Sequence, residues 1–213
     1  TGKVSFAGHN DWRLPNIREL LSIVDDTVSG NAIDRVAFPS GNVSLIWWSS
    51  SPDASGTTHA WNVYFNDGYS YSSFRNNSYS ARLVRGGQAL PNLNVTRPTS
   101  DYVDNGDGTV THTPTQLMWQ RCMVGQTWDG KACIGSASNM SWDSARAVTS
   151  NLAGRSDWRL PTRQELLSLV DYAMAAPPKL NAAIFPNAPA YFVWSGSPNT
   201  NDGRYAWSVS FFN

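Results

Sequence analysis

The amino-acid sequence predicts an α+β protein that contains two tandem copies of one small domain. The motif Asp-Trp-Arg-Leu-Pro occurs at 11–15 and again at 157–161, so the two copies are offset by 146 residues. Each motif precedes an amphipathic helical pattern and then short segments that alternate aromatic and polar residues, as half-buried strands do. Further pairs keep nearly the same offset, namely Phe38-Pro39 with Phe185-Pro186, Trp48-Ser49 with Trp194-Ser195, and Ala60-Trp61 with Ala206-Trp207.

The boundary between the copies falls in a segment with little hydrophobic periodicity. Residues 88–100 include Pro91 and Pro98 and are predicted to link a first copy, 1–87, to a second copy, 101–213. Only the second copy has an opening strand and a first helix, and only the first has a closing strand, so each is expected to lack a part. A stretch of a longer tandem array explains this pattern. The alternative is a single domain, built mostly from the second copy, that residues 81–85 close.

The composition is that of a globular protein with little charge. Hydrophobic residues make up 41% and charged residues 15% of the chain, and the net charge is zero. Nucleic-acid partners are not expected, since they require a basic surface. Direct membrane insertion is not expected either, because no apolar run approaches the roughly 20 residues that span a bilayer. Ten Trp residues and abundant Asn, Ser, Thr and Gly favour an extracellular or cell-surface bacterial protein.

The two cysteines, Cys122 and Cys133, enclose a short loop that contains glycine. A disulfide there would stabilise the fold by about 2–3 kcal/mol and would indicate an oxidising compartment; two reduced, buried thiols are the alternative. Neither cysteine belongs to a Cys-x-x-Cys pattern and the three His form no cluster, so a zinc site is not expected. The sequence predicts no metal and no cofactor.

The repeated motif leads into predicted helices over 16–25 and 162–171. Proline suits the first turn of a helix, where its missing N–H costs no hydrogen bond, and Thr162 and Glu165 have the spacing of a capping box. A structural role, in which each Arg pairs with a carboxylate or with carbonyl groups, is favoured over a Trp–Arg ligand site. The residues assigned this structural role are Trp12, Arg13, Glu19, Trp158, Arg159 and Glu165.

Strands follow the motif helix in each copy. In the first copy they are predicted at 46–51 and 60–65, then a tight turn at 66–68 and a closing strand at 81–85. In the second copy they are predicted at 109–111, at 117–120 and around Trp194 and Trp207, with a helix from Ser141 to about Leu152. Residues 104–108 resemble a calcium loop but lack the Glu that an EF-hand needs at its twelfth position, so a turn is predicted there.

A set of motifs recurs outside the linker. It comprises 108–111, 117–120, Trp142 with Ala145, 157–162 with Glu165-Leu166, and Trp194-Ser195, and in the first copy 11–15, Glu19-Leu20, 48–50, 60–61 and 82–85. Together these motifs resemble the Legionella collagen-like protein C-terminal domain family. The resemblance implies a C-type-lectin-like fold, in which helices flank a small antiparallel sheet. It also implies secreted or surface bacterial proteins that act in adhesion and ligand binding, including the binding of sulfated glycans by the namesake.

Two enzymatic alternatives are disfavoured, and the chain is predicted not to be an enzyme. Residues 159–165 are also similar to formylglycine-generating enzymes, whose chemistry needs redox-active cysteines that bind copper. Here the first copy has no cysteine, and the pair in the second copy precedes the motif. Glycosidase chemistry needs two facing carboxylates, whereas Asp53, Asp67 and Asp202 lie in predicted loops without an evident partner.

The segment 62–79 is the candidate ligand-binding surface. Its Tyr residues supply rigid contact area and its Ser and Asn residues supply adaptable hydrogen bonds, as in antibody paratopes; a solvated hairpin loop is the alternative. The residues predicted to contact a ligand are Asn62, Tyr64, Asn66, Asp67, Tyr69, Tyr71, Ser73, Arg75, Asn76, Asn77 and Tyr79.

The same segment resembles the variable region of diversity-generating retroelement target proteins. Asn, Tyr, Ser and Asp interconvert by single changes at the adenines of an Asn codon. The resemblance implies that such positions vary while a framework stays fixed. The framework positions are Trp61, Val63, Phe65, Gly68, Phe74 and Leu83.

The function predicted from these observations is that of a bacterial ligand-binding or adhesion module. Its expected partner is a protein or glycan receptor on another surface. A structural repeat of a surface fibre or appendage is the alternative, which the tandem copies and the proline-containing linker support. A homo-oligomer is compatible with either function.

Overall fold

The computed structural model describes residues 5–28, 30–39, 45–86, 95–199 and 205–212. The chain divides into two compact units, Thr1–Val95 and Thr96–Asn213. Both combine short helices with small antiparallel sheets, so the fold is α+β, as the sequence predicts. No helix in the described parts of the chain is long and apolar enough to cross a membrane.

The predicted linker is only partly described, because residues 88–94 lie outside the described ranges. Arg97, near its end, is buried in the second unit. The Arg97 backbone N–H donates to the Asp171 carboxylate at 3.0 Å. The second unit therefore begins earlier in the chain than the predicted residue 101.

The described part of the first unit contains one helix and one three-stranded antiparallel sheet. The elements are α1 (Ile17–Leu21), β1 (Ile46–Pro52), β2 (His59–Tyr64) and β3 (Tyr69–Phe74), with strand order β1-β2-β3. The ranges of β1 and β2 agree closely with the predicted strands. β3 lies within the candidate binding segment, so this part of the segment is a regular strand and not the loop of the alternative interpretation.

The predicted closing strand at 81–85 is reduced to single backbone bridges. Val84 pairs with Arg13 through hydrogen bonds of 2.8 and 2.9 Å, whereas Ser80 bridges Trp47 of β1. Because these two partners lie in different segments, residues 80–84 form no continuous ladder with either.

The second unit contains three sets of paired strands and two α-helices among its described residues. The elements are β4 (Tyr102–Asp104), β5 (Thr109–His112), β6 (Leu117–Gln120), β7 (Thr127–Trp128), β8 (Cys133–Ile134), α2 (Trp142–Arg146), α3 (Arg163–Leu167), β9 (Phe192–Pro198) and β10 (Ala206–Ser210). They pair as β4-β5-β6, β7-β8 and β9-β10. In the predicted turn before β5, the Asp104 and Asp107 carboxylates accept backbone N–H groups at 2.9 and 3.0 Å.

The helices are shorter than predicted. Asn16 and Thr162 cap α1 and α3 with complete capping boxes. Both helices end after five residues. The chain then leaves the helical pattern: the Asp25 N–H donates to the Ala32 carbonyl at 3.0 Å, and the Asp171 N–H donates to the Lys179 carbonyl at 2.9 Å. α2 also stops early, at Arg146.

Equivalent contacts build the cores of the two units. Trp61 and Trp207 are 0% and 4% exposed. The Ser49 hydroxyl donates to the Trp61 carbonyl at 2.7 Å, and the Ser195 hydroxyl donates to the Trp207 carbonyl at 2.8 Å. The pairing register shifts within β1–β2 and within β9–β10. In each pair, the serine hydrogen bond joins the two strands where the register shifts. The repeat in the sequence is therefore also a repeat of side-chain contacts.

A disulfide joins Cys122 to Cys133, which confirms the predicted pairing over two reduced thiols. The enclosed loop is also held from outside. The Asn187 amide donates to the Cys133 carbonyl at 2.9 Å, and the Gln126 amide donates to the Asn187 carbonyl at 3.4 Å.

Candidate ligand-binding face

Residue alternation along β1 and β2 gives the sheet of the first unit a core side and an outer side. Successive residues of a strand point to opposite faces, and Trp47, Trp61 and Val63 are at most 3% exposed. Trp47 pairs with Val63 across the sheet and packs on Phe65 with ring centroids 4.5 Å apart. These residues define the core side.

The outer side carries the residues in between, and we call it the tyrosine face. Its members are Trp48, Asn62, Tyr64, Tyr69, Tyr71, Ser73 and, after β3, Tyr79. Tyr64 lies opposite Tyr69 and Asn62 lies opposite Tyr71, and opposite residues of an antiparallel pair share a face. Six of the eleven predicted ligand residues are thus gathered on one side of the sheet.

Trp48 belongs to this face but is absent from the predicted ligand residues. Its ring packs on Tyr79 with centroids 4.8 Å apart and planes tilted by 38°. The adjacent residues Trp47 and Trp48 are the sequence feature that could have indicated this. Since adjacent strand residues point to opposite faces, only one of the two can lie in the core.

Asn62 lies beneath the face and requires a correction. It is 1% exposed, and its Nδ2 donates to the Ser73 hydroxyl at 2.9 Å. A buried amide whose hydrogen bond is satisfied inside the protein has no need of a ligand. We therefore assign Asn62 to the support of Ser73 and not to direct ligand contact.

The turn between β2 and β3 places a carboxylate at one end of the face. Asp67 accepts the Tyr69 backbone N–H at 3.0 Å and the Tyr71 hydroxyl at 2.7 Å. Gly68, at φ +71°, supplies the left-handed residue that the turn needs. Partial burial and the bond to Asp67 raise the pKa of Tyr71 above its usual value, so Tyr71 stays protonated and keeps donating.

The remaining predicted ligand residues lie at the margins and are exposed, namely Asn66, Arg75, Asn76 and Asn77. Asn77 donates its amide to the Tyr79 hydroxyl at 3.0 Å. Arg75 donates Nε to a β2 carbonyl at 3.1 Å. Arg75 and the turn lie at opposite ends of β3, so the backbone of Arg75 is about 20 Å from that of Asp67 along the strand.

Phe74, one of the predicted framework residues, is 55% exposed, and its ring packs on the His59 ring with centroids 4.2 Å apart. Phe74 alternates with Ser73 and therefore lies on the side of the sheet away from the tyrosine face. The framework residues Trp61, Val63 and Phe65 are all 0% exposed.

The repeated motif lies outside the tyrosine face and makes internal contacts. Arg13 donates to both oxygens of Glu19, at 2.6 and 2.7 Å, and the Trp12 indole donates to a carbonyl six residues earlier at 3.0 Å. Arg159 and Glu165 repeat the ion pair in the second unit. The motif side chains are therefore engaged within each unit.

Of the three carboxylates considered for glycosidase chemistry, Asp53, Asp67 and Asp202, the structure describes the first two. Asp53 is buried and accepts the Ser72 hydroxyl at 2.5 Å, whereas Asp67 bonds Tyr71, and Asp202 lies outside the described residues. Among the residues that the structure describes, no group of three or more His, Cys, Asp or Glu is arranged to hold a metal ion.

The corresponding face of the second unit has different chemistry. Trp194 and Ser208 occupy the positions of Trp48 and Asn62 in the repeat and lie opposite each other in β9 and β10. With the exposed Phe192 they line an open depression of about 400 Å³. The two units thus share a scaffold but present different surfaces.

These features define a small α+β domain, present twice, with an aromatic outer sheet face in the first copy. The chain belongs to the Lcl C-terminal domain family, whose sequence pattern matches residues 1–85 and 108–213. The two tandem matches confirm the resemblance found in the sequence. Comparison with curated proteins and with solved structures gave no match.

Proposed function

We propose that this chain is a non-enzymatic bacterial ligand-binding and adhesion module, and that the tyrosine face is its binding surface. The observation that carries the proposal is the strand register, which gathers Tyr64, Tyr69 and Tyr71 on the side that the core does not use. Tyr and Trp offer large contact areas with few rotatable bonds and are enriched in binding hot spots. Membership of the Lcl C-terminal domain family supports a surface-associated module.

The proposed fold of each unit is that of a C-type-lectin-like domain. Three features support it: the return of Val84 to Arg13 near the start of the first unit, the short helices, and the small antiparallel sheets. A crystal structure that superposes on no C-type-lectin-like domain would contradict this assignment while leaving the binding face to be judged separately.

The proposed location is extracellular or at the cell surface. The Cys122–Cys133 disulfide supports it, because cytosolic proteins rarely keep structural disulfides. Antibody labelling of intact producing cells tests the location: labelling without permeabilisation is expected, and labelling only after permeabilisation contradicts it.

The binding surface is tested by replacing Tyr69, Tyr71 and Tyr79 with Ala in one variant. The Phe74→Ala variant is the matched control, since Phe74 is an exposed aromatic residue of the same strand on the other side of the sheet. Each variant is assayed on a glycan array and in pull-downs from host-cell surface proteins. The triple variant is expected to lose the bound ligand, while Phe74→Ala and the wild type retain it. Truncated aromatic anchors commonly cost more than about 2 kcal/mol of binding.

Equal binding by the triple variant and the wild type would contradict the assignment of the tyrosine face as the binding surface. Circular dichroism on both variants separates loss of binding from loss of folding. A triple variant that unfolds is replaced by the single substitution Tyr71→Ala, since Tyr71 is 38% exposed.

A structural repeat of a surface fibre is the second candidate, and the tandem family matches support it. In that case the tyrosine face would be covered by another copy. Light scattering, which measures the mass of the particle in solution, separates the two functions. If copies of a fibre repeat associate through the tyrosine face, the triple variant forms smaller particles than the wild type. In a receptor-binding module, the wild type and the triple variant have the same mass.

Diversification is proposed for the same face, in the manner of retroelement target proteins. The alternation along β2 and β3 supports it, because outward Tyr and Ser can change while Trp61 and Val63 stay in the core. Sequencing the locus in sibling strains tests it. Substitutions concentrated at adenines of outward-facing codons are expected, and scattered synonymous changes contradict the idea.

A further inference from the structure

We infer that the partner of the tyrosine face is a protein that presents a basic side chain, Arg or Lys, to the corner formed by Asp67, Tyr64, Tyr69 and Tyr71. The inference rests on the proposed function, because it names the partner class for the same face. We call these four residues the acidic corner.

The corner holds its carboxylate in a fixed orientation. Asp67 Oδ1 accepts the Tyr69 backbone N–H at 3.0 Å, and Asp67 Oδ2 accepts the Tyr71 hydroxyl at 2.7 Å. Each carboxylate oxygen can accept about two hydrogen bonds, so both oxygens retain capacity for a further donor. Tyr64 lies opposite Tyr69, which brings a third ring to the same corner.

Among the residues that the structure describes, Asp67 belongs to no ion pair, so its charge is not neutralised by a neighbouring base. The base that follows β3, Arg75, lies at the other end of the strand. We therefore expect a partner to supply the cationic group that pairs with Asp67. A guanidinium or ammonium group would gain a charge-assisted hydrogen bond and contact with tyrosine ring faces.

The same charge argues against an anionic glycan in this corner. The Asp67 carboxylate would repel a sulfated sugar placed in this corner, and binding of polyanions depends on several basic side chains. A neutral sugar could stack on Trp48 and Tyr79 but would gain nothing from Asp67. A basic protein side chain uses both the rings and the carboxylate.

The test is an NMR titration of the full chain with ¹³C-labelled tyrosine rings. The probes are N-acetyl-Gly-Arg-Gly-amide and the same peptide with citrulline, which keeps the shape of Arg without the charge. The Arg peptide is expected to shift the Tyr64, Tyr69 and Tyr71 signals, with affinity about tenfold above that of the citrulline peptide. Raising the salt concentration is expected to weaken the shifts, since exposed charges are screened.

The Asp67→Asn variant is expected to reduce Arg-peptide binding to the level of the citrulline peptide. Asn keeps an Oδ1 that can accept the Tyr69 N–H, so the turn is retained, and an unchanged circular dichroism spectrum verifies the fold. The Tyr71 signal of the free variant is expected to shift, because Nδ2 replaces the oxygen that accepts its hydroxyl. Asp143→Asn, in the second unit and exposed, changes the net charge equally and is expected to bind like the wild type.

Equal binding of the Arg and citrulline peptides would overturn the inference, and so would undiminished binding of the Arg peptide by Asp67→Asn. A third result against it would be that a heparin oligosaccharide or maltotriose shifts the tyrosine signals of the corner while the Arg peptide does not. The proposed function is judged separately by the Tyr-to-Ala triple variant. If that variant loses its ligand while the Arg peptide fails, the face stands and the partner class is wrong.

Discussion

Arg159 and Glu165 form a two-point ion pair in which both N–O distances are 2.7 Å. The same Glu165 carboxylate accepts the Thr162 backbone N–H at 2.7 Å and so completes the capping box of α3. One carboxylate thus ties the repeated motif to the first turn of the helix that follows it. Arg13 and Glu19 repeat this arrangement at α1.

The pairing predicts a pH dependence of stability. The Arg159 hydrogen bonds lower the pKa of Glu165 from 4.5 to about 2. A group whose pKa is lower in the folded state stabilises the fold above its unfolded pKa, and this contribution is lost as the pH falls through the folded pKa. The free energy of unfolding should therefore fall between pH 4.5 and about 2. Because the Arg159 side chain is 59% exposed, solvent screening limits the loss to about 1 kcal/mol.

Urea unfolding of Glu165→Gln at several pH values measures this contribution. The variant is expected to be less stable than the wild type at pH 7 and to approach it near pH 2, since the wild-type carboxyl loses its charge as the pH reaches its folded pKa. Asp143→Asn, which removes an exposed carboxylate of the same unit, is the control. A constant difference between Glu165→Gln and the wild type at every pH would show that the ion pair is not the cause.

Local spacing in the sequence is sufficient for the features that depend on near neighbours. The capping box at Thr162 and the short loop between Cys122 and Cys133 are examples, and both are present in the structure. Helix length is not predictable in this way. After α1 ends at Leu21, the Val24 N–H bonds only three residues back and the Asp25 N–H bonds the Ala32 carbonyl, a partner outside the helical pattern.

The candidate face was predictable to a similar extent. Alternation identifies Trp61 as core and Tyr64 as outward, as observed. Asn62 bonds Ser73 across the hairpin, and Tyr79 joins the face through its ring contact with Trp48. The first contact follows from the register of β2 and β3 and the second from the return of Ser80 to β1, and a pattern within one strand contains neither.

The Ser49 hydroxyl gives a second prediction, on the stability of the first unit. Ser49 is 5% exposed, donates to the Trp61 carbonyl at 2.7 Å and accepts the Ser51 N–H at 3.2 Å. Ser49→Ala leaves these buried groups unsatisfied and is expected to cost about 1–2 kcal/mol. Ser50→Ala is the matched control, since Ser50 is exposed and should stay within about 0.5 kcal/mol of the wild type. Equal effects of both changes, measured by urea unfolding, would exclude the hydroxyl as the cause.

The disulfide gives a third prediction. It closes a loop between residues 11 positions apart, and restricting the unfolded chain over such a loop is worth about 2–3 kcal/mol. Replacing Cys122 and Cys133 together with Ala is expected to lower the free energy of unfolding by about this amount. Reduction of the wild type with dithiothreitol should lower it similarly and should leave the double variant unchanged. A double variant as stable as the oxidised wild type would contradict the prediction.

Two glycines of the same loop give the last prediction, because they differ in surroundings but not in backbone conformation. Gly125 and Gly130 have φ values of +93° and +99°, so a side chain strains either position. A Cβ on Gly125 would overlap the Ser138 hydroxyl and lie 2.8 Å from the Ser136 carbonyl, whereas nothing lies within 4 Å of a Cβ on Gly130.

Gly130→Ala is therefore expected to cost only the backbone strain, roughly 1 kcal/mol. Gly125→Ala carries this strain and a clash with backbone that cannot rotate away, which adds about 1–3 kcal/mol. Thermal unfolding of both variants should show a clearly larger decrease in Tm for Gly125→Ala. If the two decreases were equal, the close approach of 136–138 to Gly125 would not exist in solution, and the disulfide loop would lack this inner contact.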